Sequence, residues 1–319
     1  MNPTIRPDGE EPVILLRAGR DAEPQHLLLA MLGDYWFLRE HPLPSAALVD
    51  MLALFDVKES TARQAMRRLA IKGHLLHYRD GRKTGYGFPP RSQHVIETRP
   101  RHVVGFGRNG PAWDECFTVV VFSIPEDQRE LRRELRTQLL SRGFGNLHDA
   151  VWISPRDRRA VAGELVEELG VERASVFYGP TSGPREATTI VAEAFDTERL
   201  REVYEAFIAD FGPMVHDLRS IKSRLVTRTR LVNRWLTLRT MDPNLPIEVL
   251  PEDWPRSRAH QIFTTLYDRL GPGAAVEFKD IVAAYDRELA DLTAYFTSDI
   301  LLPDMVGWRP ASRDADAEN

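Results

Sequence analysis

The spacing of apolar residues changes twice along the chain, and the changes divide it into three parts. From Gln25 the residues Leu28, Met31, Leu32 and Tyr35 recur at intervals of three and four, and Leu48, Met51, Leu52 and Phe55 repeat the pattern. That spacing collects side chains on one face of an α-helix and predicts two amphipathic helices. Asp56-Val57-Lys58 is then a tight turn, with Asp56 expected to cap a third helix and Glu59 to answer it as in a capping box. In the third helix Ala62, Ala65, Met66 and Leu69 share one face, while Ser60, Gln64, Arg67 and Ile71 lie opposite, flanked by Arg63 and Arg68. After Gly73, two short runs at 75–79 and 84–88, joined by Asp80-Gly81-Arg82-Lys83, predict a hairpin with cations at its tip.

At 117–125 the run FTVVVFSIP loses helical spacing and is rich in β-branched and aromatic residues, which predicts a buried strand. Leu131, Leu135 and Leu139 mark a helix ending near Gly143, a short strand fits 145–147, and 150–154 reads as another. Val161, Leu165 and Leu169 mark a second helix and 174–178 a last strand, giving the order βαββαβ of the ferredoxin-like plan, with 179–184 as a linker. Beyond it the pattern is helical at 198–211, 220–238, 258–270 and 278–295. The predicted class is therefore α+β: a winged helix-turn-helix at 25–98, a ferredoxin-like domain at 110–180, and a helical C-terminal domain at 190–310 for dimerisation and effector response. Polar tails at 1–24 and 311–319 complete the reading.

Composition narrows the class of function. A hydrophobic share of 43% and a charged share of 28% are those of a folded globular protein. Cys116 stands alone, so an internal disulfide is excluded, and no apolar run reaches the roughly 20 residues that span a bilayer. A cytoplasmic protein without a membrane partner is expected. The net charge of −5 argues against nucleic acid, but its distribution reverses that conclusion. Arg63, Arg67, Arg68, Lys72, Arg79, Arg82, Lys83 and Arg91 crowd one stretch in which Asp80 is the only acid.

A charge run on one helix is usually a solvated face. Here an inter-helix turn, a cationic outer face and a basic hairpin follow one another in chain order, as double-stranded DNA binding requires. The expected DNA-binding set is Lys58, Ser60, Thr61, Arg63, Gln64, Arg67, Arg68, Arg79, Arg82 and Lys83, in which Arg63, Gln64, Arg67 and Arg68 face the major groove and Arg79, Arg82 and Lys83 hold phosphates. One such module reads only a few base pairs, so a homodimer on two half-sites is expected. No catalytic chemistry competes. His74 and His77 lack partners at zinc spacing, Gly105-Phe106-Gly107 lacks the strand and helix of a dinucleotide site, and Cys116 has no identifiable base. No enzyme and no cofactor are expected.

Several stretches resemble the PaaX-type repressors of bacterial phenylacetate catabolism: LLLAMLGDYWF, ESTARQAMRRLAIKGHL, FTVVVFSIPEDQRELRRELRTQLLSRGFGNLHDAVWISPR, and MDPNLPIEVLPEDWPRSRAHQIF. The resemblance covers roughly 25–308 in order. It implies a homodimeric repressor on a palindromic operator, released by an aryl-acyl-CoA such as phenylacetyl-CoA. In that light a second basic run, Arg219, Lys222, Arg224, Arg228, Arg230 and Arg234, is either a solvated face or a phosphate holder, with Arg228, Arg230, Arg234 and Trp235 as candidate effector residues. Trp113, Trp152, Trp235 and Trp254 are either an aromatic pocket or core residues. The middle domain also resembles the small CRISPR-associated nuclease-like subunit, but Ser123 stands where that subunit's metal-binding aspartate is expected. A hydroxyl does not replace a carboxylate at a hard cation, so no metal site is expected. The alternative to a regulator is a non-catalytic interaction scaffold or vestigial metal-dependent nuclease.

Overall fold

The computed structural model describes residues 23–37, 39–81, 83–89, 103–108, 112–181, 186–299 and 308–310. The expected tails up to residue 22 and from 311, together with Arg82 and Arg91, lie outside the described residues. The chain is mixed helix and sheet with small antiparallel sheets, and divides into two compact units. One draws on residues 1–106, 207–240 and 260–319, the other on 107–206 and 241–259.

The first unit opens with α1 (Pro24–Tyr35), β1 (Leu43–Pro44), α2 (Ser45–Ala53) and α3 (Glu59–Ile71), followed by β2 (Leu76–Asp80) and β3 (Lys83–Gly87). Residues 27 to 32 of α1 are all buried, as are Asp34 and Tyr35. It is thus a core helix apolar on almost every side, where the sequence pattern predicts an amphipathic one. β1 is a further difference. It pairs antiparallel with β3, Leu43 opposite Tyr86 and Pro44 opposite Gly85, so the hairpin belongs to a three-stranded sheet with β3 at its centre. A Cβ on Gly85 would lie 2.8 Å from the Leu43 carbonyl oxygen, which is why the strands can approach there only with glycine.

In the second unit, β4 (Cys116–Phe122), α4 (Arg129–Ser141), β5 (Gly145–His148), β6 (Val151–Ser154), α5 (Arg159–Glu168) and β7 (Ala174–Pro180) follow in the predicted order. Their sheet is ordered β5-β6-β4-β7 with every neighbouring pair antiparallel. One sheet face packs Val120, Phe122 and Trp152 against Leu135 and Leu139 of α4 and Ala162 and Leu165 of α5. β7 continues through Gly179 and Pro180, residues the sequence pattern assigns to a linker. Helix α6 (Ala187–Phe195), which the pattern does not predict, lies against β5 so tightly that a Cβ on Gly145 would come 2.5 Å from the Ala194 carbonyl oxygen.

The C-terminal part is less purely helical than its periodicity implies. After α7 (Thr197–Phe211) and α8 (Arg224–Met241), a single helix α9 runs from Arg256 to Ala283, through Gly271-Pro272-Gly273. The predicted gap between 270 and 278 does not occur. The two glycines serve close packing: a Cβ on Gly271 would lie 2.8 Å from the Tyr295 ring, and one on Gly273 would collide with the Arg224 side chain. Tyr295, predicted to be helical, lies instead in a strand. After α10 (Arg287–Ala290), β8 (Ala294–Phe296) pairs with β9 (Trp308–Pro310), Phe296 opposite Trp308.

Candidate nucleic-acid interface

Helix α2 ends in a turn that sets the direction of α3. Asp56 adopts a left-handed backbone with φ 61°, and the N–H groups of Asp56 and Val57 donate to the carbonyls of Ala53 and Leu52. Asp tolerates that conformation better than most residues. It therefore closes the helix before it rather than capping the one after. The position before α3 is Lys58, which makes no side-chain cap, and Glu59 pairs with Arg63 at 2.8 Å instead of completing a capping box. Ala62, Ala65, Met66 and Leu69 are buried on the side of α3 that meets α1 and α2. Two alanines on that side allow the close approach that leaves the other side free.

The other side carries Lys58, Ser60, Thr61, Arg63, Gln64, Arg67, Arg68, Ile71 and Lys72, all exposed. Among the described residues the side chains of Gln64, Arg67, Arg68 and Lys72 have no hydrogen-bond or ion-pair partner, whereas Arg63 is held by Glu59. At the end of α3, Gly73 is left-handed at φ 75°, and the N–H groups of His74 and Leu75 both donate to the Leu69 carbonyl. That reversal buries Leu75 and sends the chain directly into β2.

β2 and β3 form the predicted hairpin with Asp80 opposite Lys83. Gly81 supplies the positive φ of 56° that a two-residue connection demands. Arg79 and Lys83 are exposed near its tip, Arg79 donating to the Gly81 carbonyl at 3.3 Å, and Arg82 falls outside the described residues. One pair back from the tip, the Ser45 and Thr84 hydroxyls share a 2.6 Å hydrogen bond, fastening the hairpin to the start of α2.

A solvated basic helix elsewhere in the chain shows the contrast. In α4, Arg133 pairs with Glu130 at 2.6 Å, and Arg132 and Arg136 donate to the carbonyls of Ile124 and Asp149. Arg132, Arg133 and Arg136 are thus committed to their own fold, whereas Arg67 and Arg68 of α3 are not.

Family models match the chain in three consecutive stretches: the PaaX-like protein model at residues 23–89, the PaaX protein central Cas2-like domain at 110–191, and the PaaX-like protein C-terminal domain at 195–280. The chain belongs to the PaaX family. This PaaX-family protein is 26% identical over 258 residues to the transcriptional repressor PaaX of Escherichia coli (strain K12), over 78% of this chain and 80% of that one. Its fold is similar to that of the uncharacterized protein Rv0674 from Mycobacterium tuberculosis, with a TM-score of 0.50 and 21% identity over 82% of this chain and 97% of that one. Family membership and this relative support a DNA-binding transcriptional regulator and not an enzyme.

In this PaaX-family protein the second basic run is not a shared phosphate-holding face. Arg228 is fully buried: its Nη1 lies 3.2 Å from an Asp34 carboxylate oxygen, its Nε and Nη2 donate to the carbonyls of Tyr267 and Phe296 at 2.9 and 2.7 Å, and its guanidinium lies 3.9 Å from the centre of the Tyr267 ring. The Tyr267 hydroxyl donates to Asp34 at 3.1 Å, and burial followed by the Asp34 charge holds it well above the ordinary tyrosine range, so it remains a donor. Trp235 is also fully buried, stacked on Phe263 at 4.6 Å and donating to the Val103 carbonyl. Arg234 is half-buried and paired with Asp210 at 3.2 Å, and Arg230 is exposed with its guanidinium 5.9 Å from the Phe55 ring. Arg228 and Trp235, two of the candidate effector residues, thus lie in the core. Trp152 and Trp254 are likewise buried, and Trp113 packs edge-on to Phe117 at 5.3 Å. The sequence did carry a sign of the Arg228 site: Asp34 is an acid within the apolar run LLLAMLGDYWF, and a buried acid needs a partner.

Proposed function

We propose that this regulator is a homodimeric winged helix-turn-helix repressor in which α3 enters the major groove and the β2–β3 hairpin rests on the backbone beside it. The observation that carries the reading is the outer face of α3: Gln64, Arg67 and Arg68 are exposed without side-chain partners among the described residues, next to a hairpin that presents Lys83. Gln and Arg offer the donors that base edges accept, and a side chain not committed to its own fold binds without breaking an internal contact. Ser60 and Thr61 at the start of the helix and Lys58 before it are suited to phosphate contacts, as are Arg79 and Arg82. The βαββαβ unit is a ferredoxin-like scaffold without phosphodiester chemistry. Ser123 follows β4 there, its N–H bound to the Arg173 carbonyl, and supplies no carboxylate.

The operator is palindromic because the dimer is twofold, and release follows from an aryl-acyl-CoA, with phenylacetyl-CoA as the first candidate. Arg230 and Arg234 keep surface reach for its phosphates, whereas Arg228 and Trp235 do not. The protein acts in the cytoplasm. The test is a gel-shift in low salt with the DNA upstream of the protein's own operon, with and without phenylacetyl-CoA. A retarded band that phenylacetyl-CoA abolishes is expected. No retardation at any salt concentration removes DNA binding, and a band insensitive to acyl-CoA removes the effector.

A further inference from the structure

The outward row of α3 ends in a residue that charge does not explain. Ile71 is the last residue of the helix and is 86% exposed, more than any other large apolar side chain among the described residues. It continues the stripe of Ser60, Gln64 and Arg67 at intervals of four, three and four, so it faces whatever Gln64 and Arg67 face. Arg67, Arg68 and Lys72 surround it. An apolar protein partner would have to strip water from those three cations, whereas a polyanion neutralises them.

We infer that Ile71 reads the C5-methyl group of a thymine, the one apolar group that a base pair presents in the major groove. The inference rests on α3 lying in that groove, as proposed above. Arg67 is suited to the O6 and N7 of guanine and Gln64 to the N6 and N7 of adenine. Ile71 lies four residues beyond Arg67, about 6 Å along the helix axis. With a base rise of about 3.4 Å, the thymine falls about two base pairs from the guanine. Each half-site therefore contains a thymine whose methyl group, and not only its pairing, is recognised.

The experiment begins with the full-length protein and a pool of randomised duplexes, from which the most tightly bound duplex becomes the probe. Each of its thymines is replaced in turn by deoxyuridine, which removes the methyl and leaves Watson–Crick pairing intact. One position per half-site is expected to weaken binding about fourfold, the effect of a single buried methyl-sized group. Ile71→Ala, at a site too exposed to disturb the fold, is expected to weaken the unmodified probe by a similar factor and to abolish the penalty at that one position. If the parent duplex binds specifically and no deoxyuridine position matters, the inference is overturned while DNA reading stands. It is also overturned if Ile71→Ala retains the methyl penalty and instead abolishes dimers in sedimentation, which would assign Ile71 to a protein contact. A pool from which no duplex is enriched overturns both the inference and the reading beneath it.

Discussion

Helices α3 and α8 look alike in sequence and differ in what their arginines touch. Both carry basic residues at helical spacing, and both qualify as anion sites on charge density alone. In α3 the guanidinium groups of Arg67 and Arg68 project from the fold, and the helix is anchored by small and apolar residues on its other side. In α8 the central arginine is turned inward onto Asp34, Tyr267 and Phe296 and serves as an anchor itself. Charge density identifies a helix that can meet an anion, but the partners of each side chain decide whether that anion belongs to the protein or comes from outside.

The sharpest way to break this contrast is to truncate one arginine in each helix. Arg228→Ala leaves the Asp34 carboxylate buried without its ion pair and is expected to cost about 3–5 kcal/mol in urea unfolding followed by tryptophan fluorescence. A loss below about 1 kcal/mol would show that the internal site is not an anchor. Arg67→Ala is expected to leave stability within about 0.5 kcal/mol and to cost about 1–3 kcal/mol in binding to a selected operator, with relaxed preference at one base pair. Equal weakening on all sequences would demote Arg67 from reading to holding. Lys83→Ala is expected to weaken binding on every sequence alike and to flatten the plot of log affinity against log salt by about one unit, measured by anisotropy titration at several salt concentrations.

The smallest effect is a titration. Burial, outweighing the opposing charge of Glu23, lowers the pKa of His26 from its ordinary 6.5, so the folded state favours the neutral ring. The unfolded chain then binds more protons, and stability is lost as pH falls below about 6.5. His26→Gln is expected to flatten that part of the stability profile, measured by thermal unfolding between pH 5 and pH 8.

Local spacing made the outer face of α3 and the strand-helix order of the middle unit legible, because both follow from periods that neighbouring residues set. Gly271-Pro272-Gly273 looks like a break because glycine and proline usually punctuate helices, whereas here Tyr295 and Arg224, remote in sequence, occupy the space a side chain would need. Asp56 is ambiguous for a related reason: the same residue type caps helix starts and tolerates the left-handed turn, and only the backbone distinguishes the two. Arg228 could not be assigned from its own helix, because Asp34, Tyr267 and Phe296 come from distant parts of the chain. β1 was too short for any periodic signal.

The Asp34–Arg228 contact also constrains when the protein can become competent during synthesis. Tyr35 stacks on Phe278 and Phe37 packs against Phe296, so α1, which also meets α2 and α3, is fully covered only once residues far along the chain have been made. A nascent chain that has already produced α3 and the hairpin still lacks part of the cover of α1, on which α3 packs. Closure of such long-range contacts is slow and leaves apolar surface open in the meantime. Premature termination before residue 278 would therefore yield an adhesive fragment and not a miniature repressor.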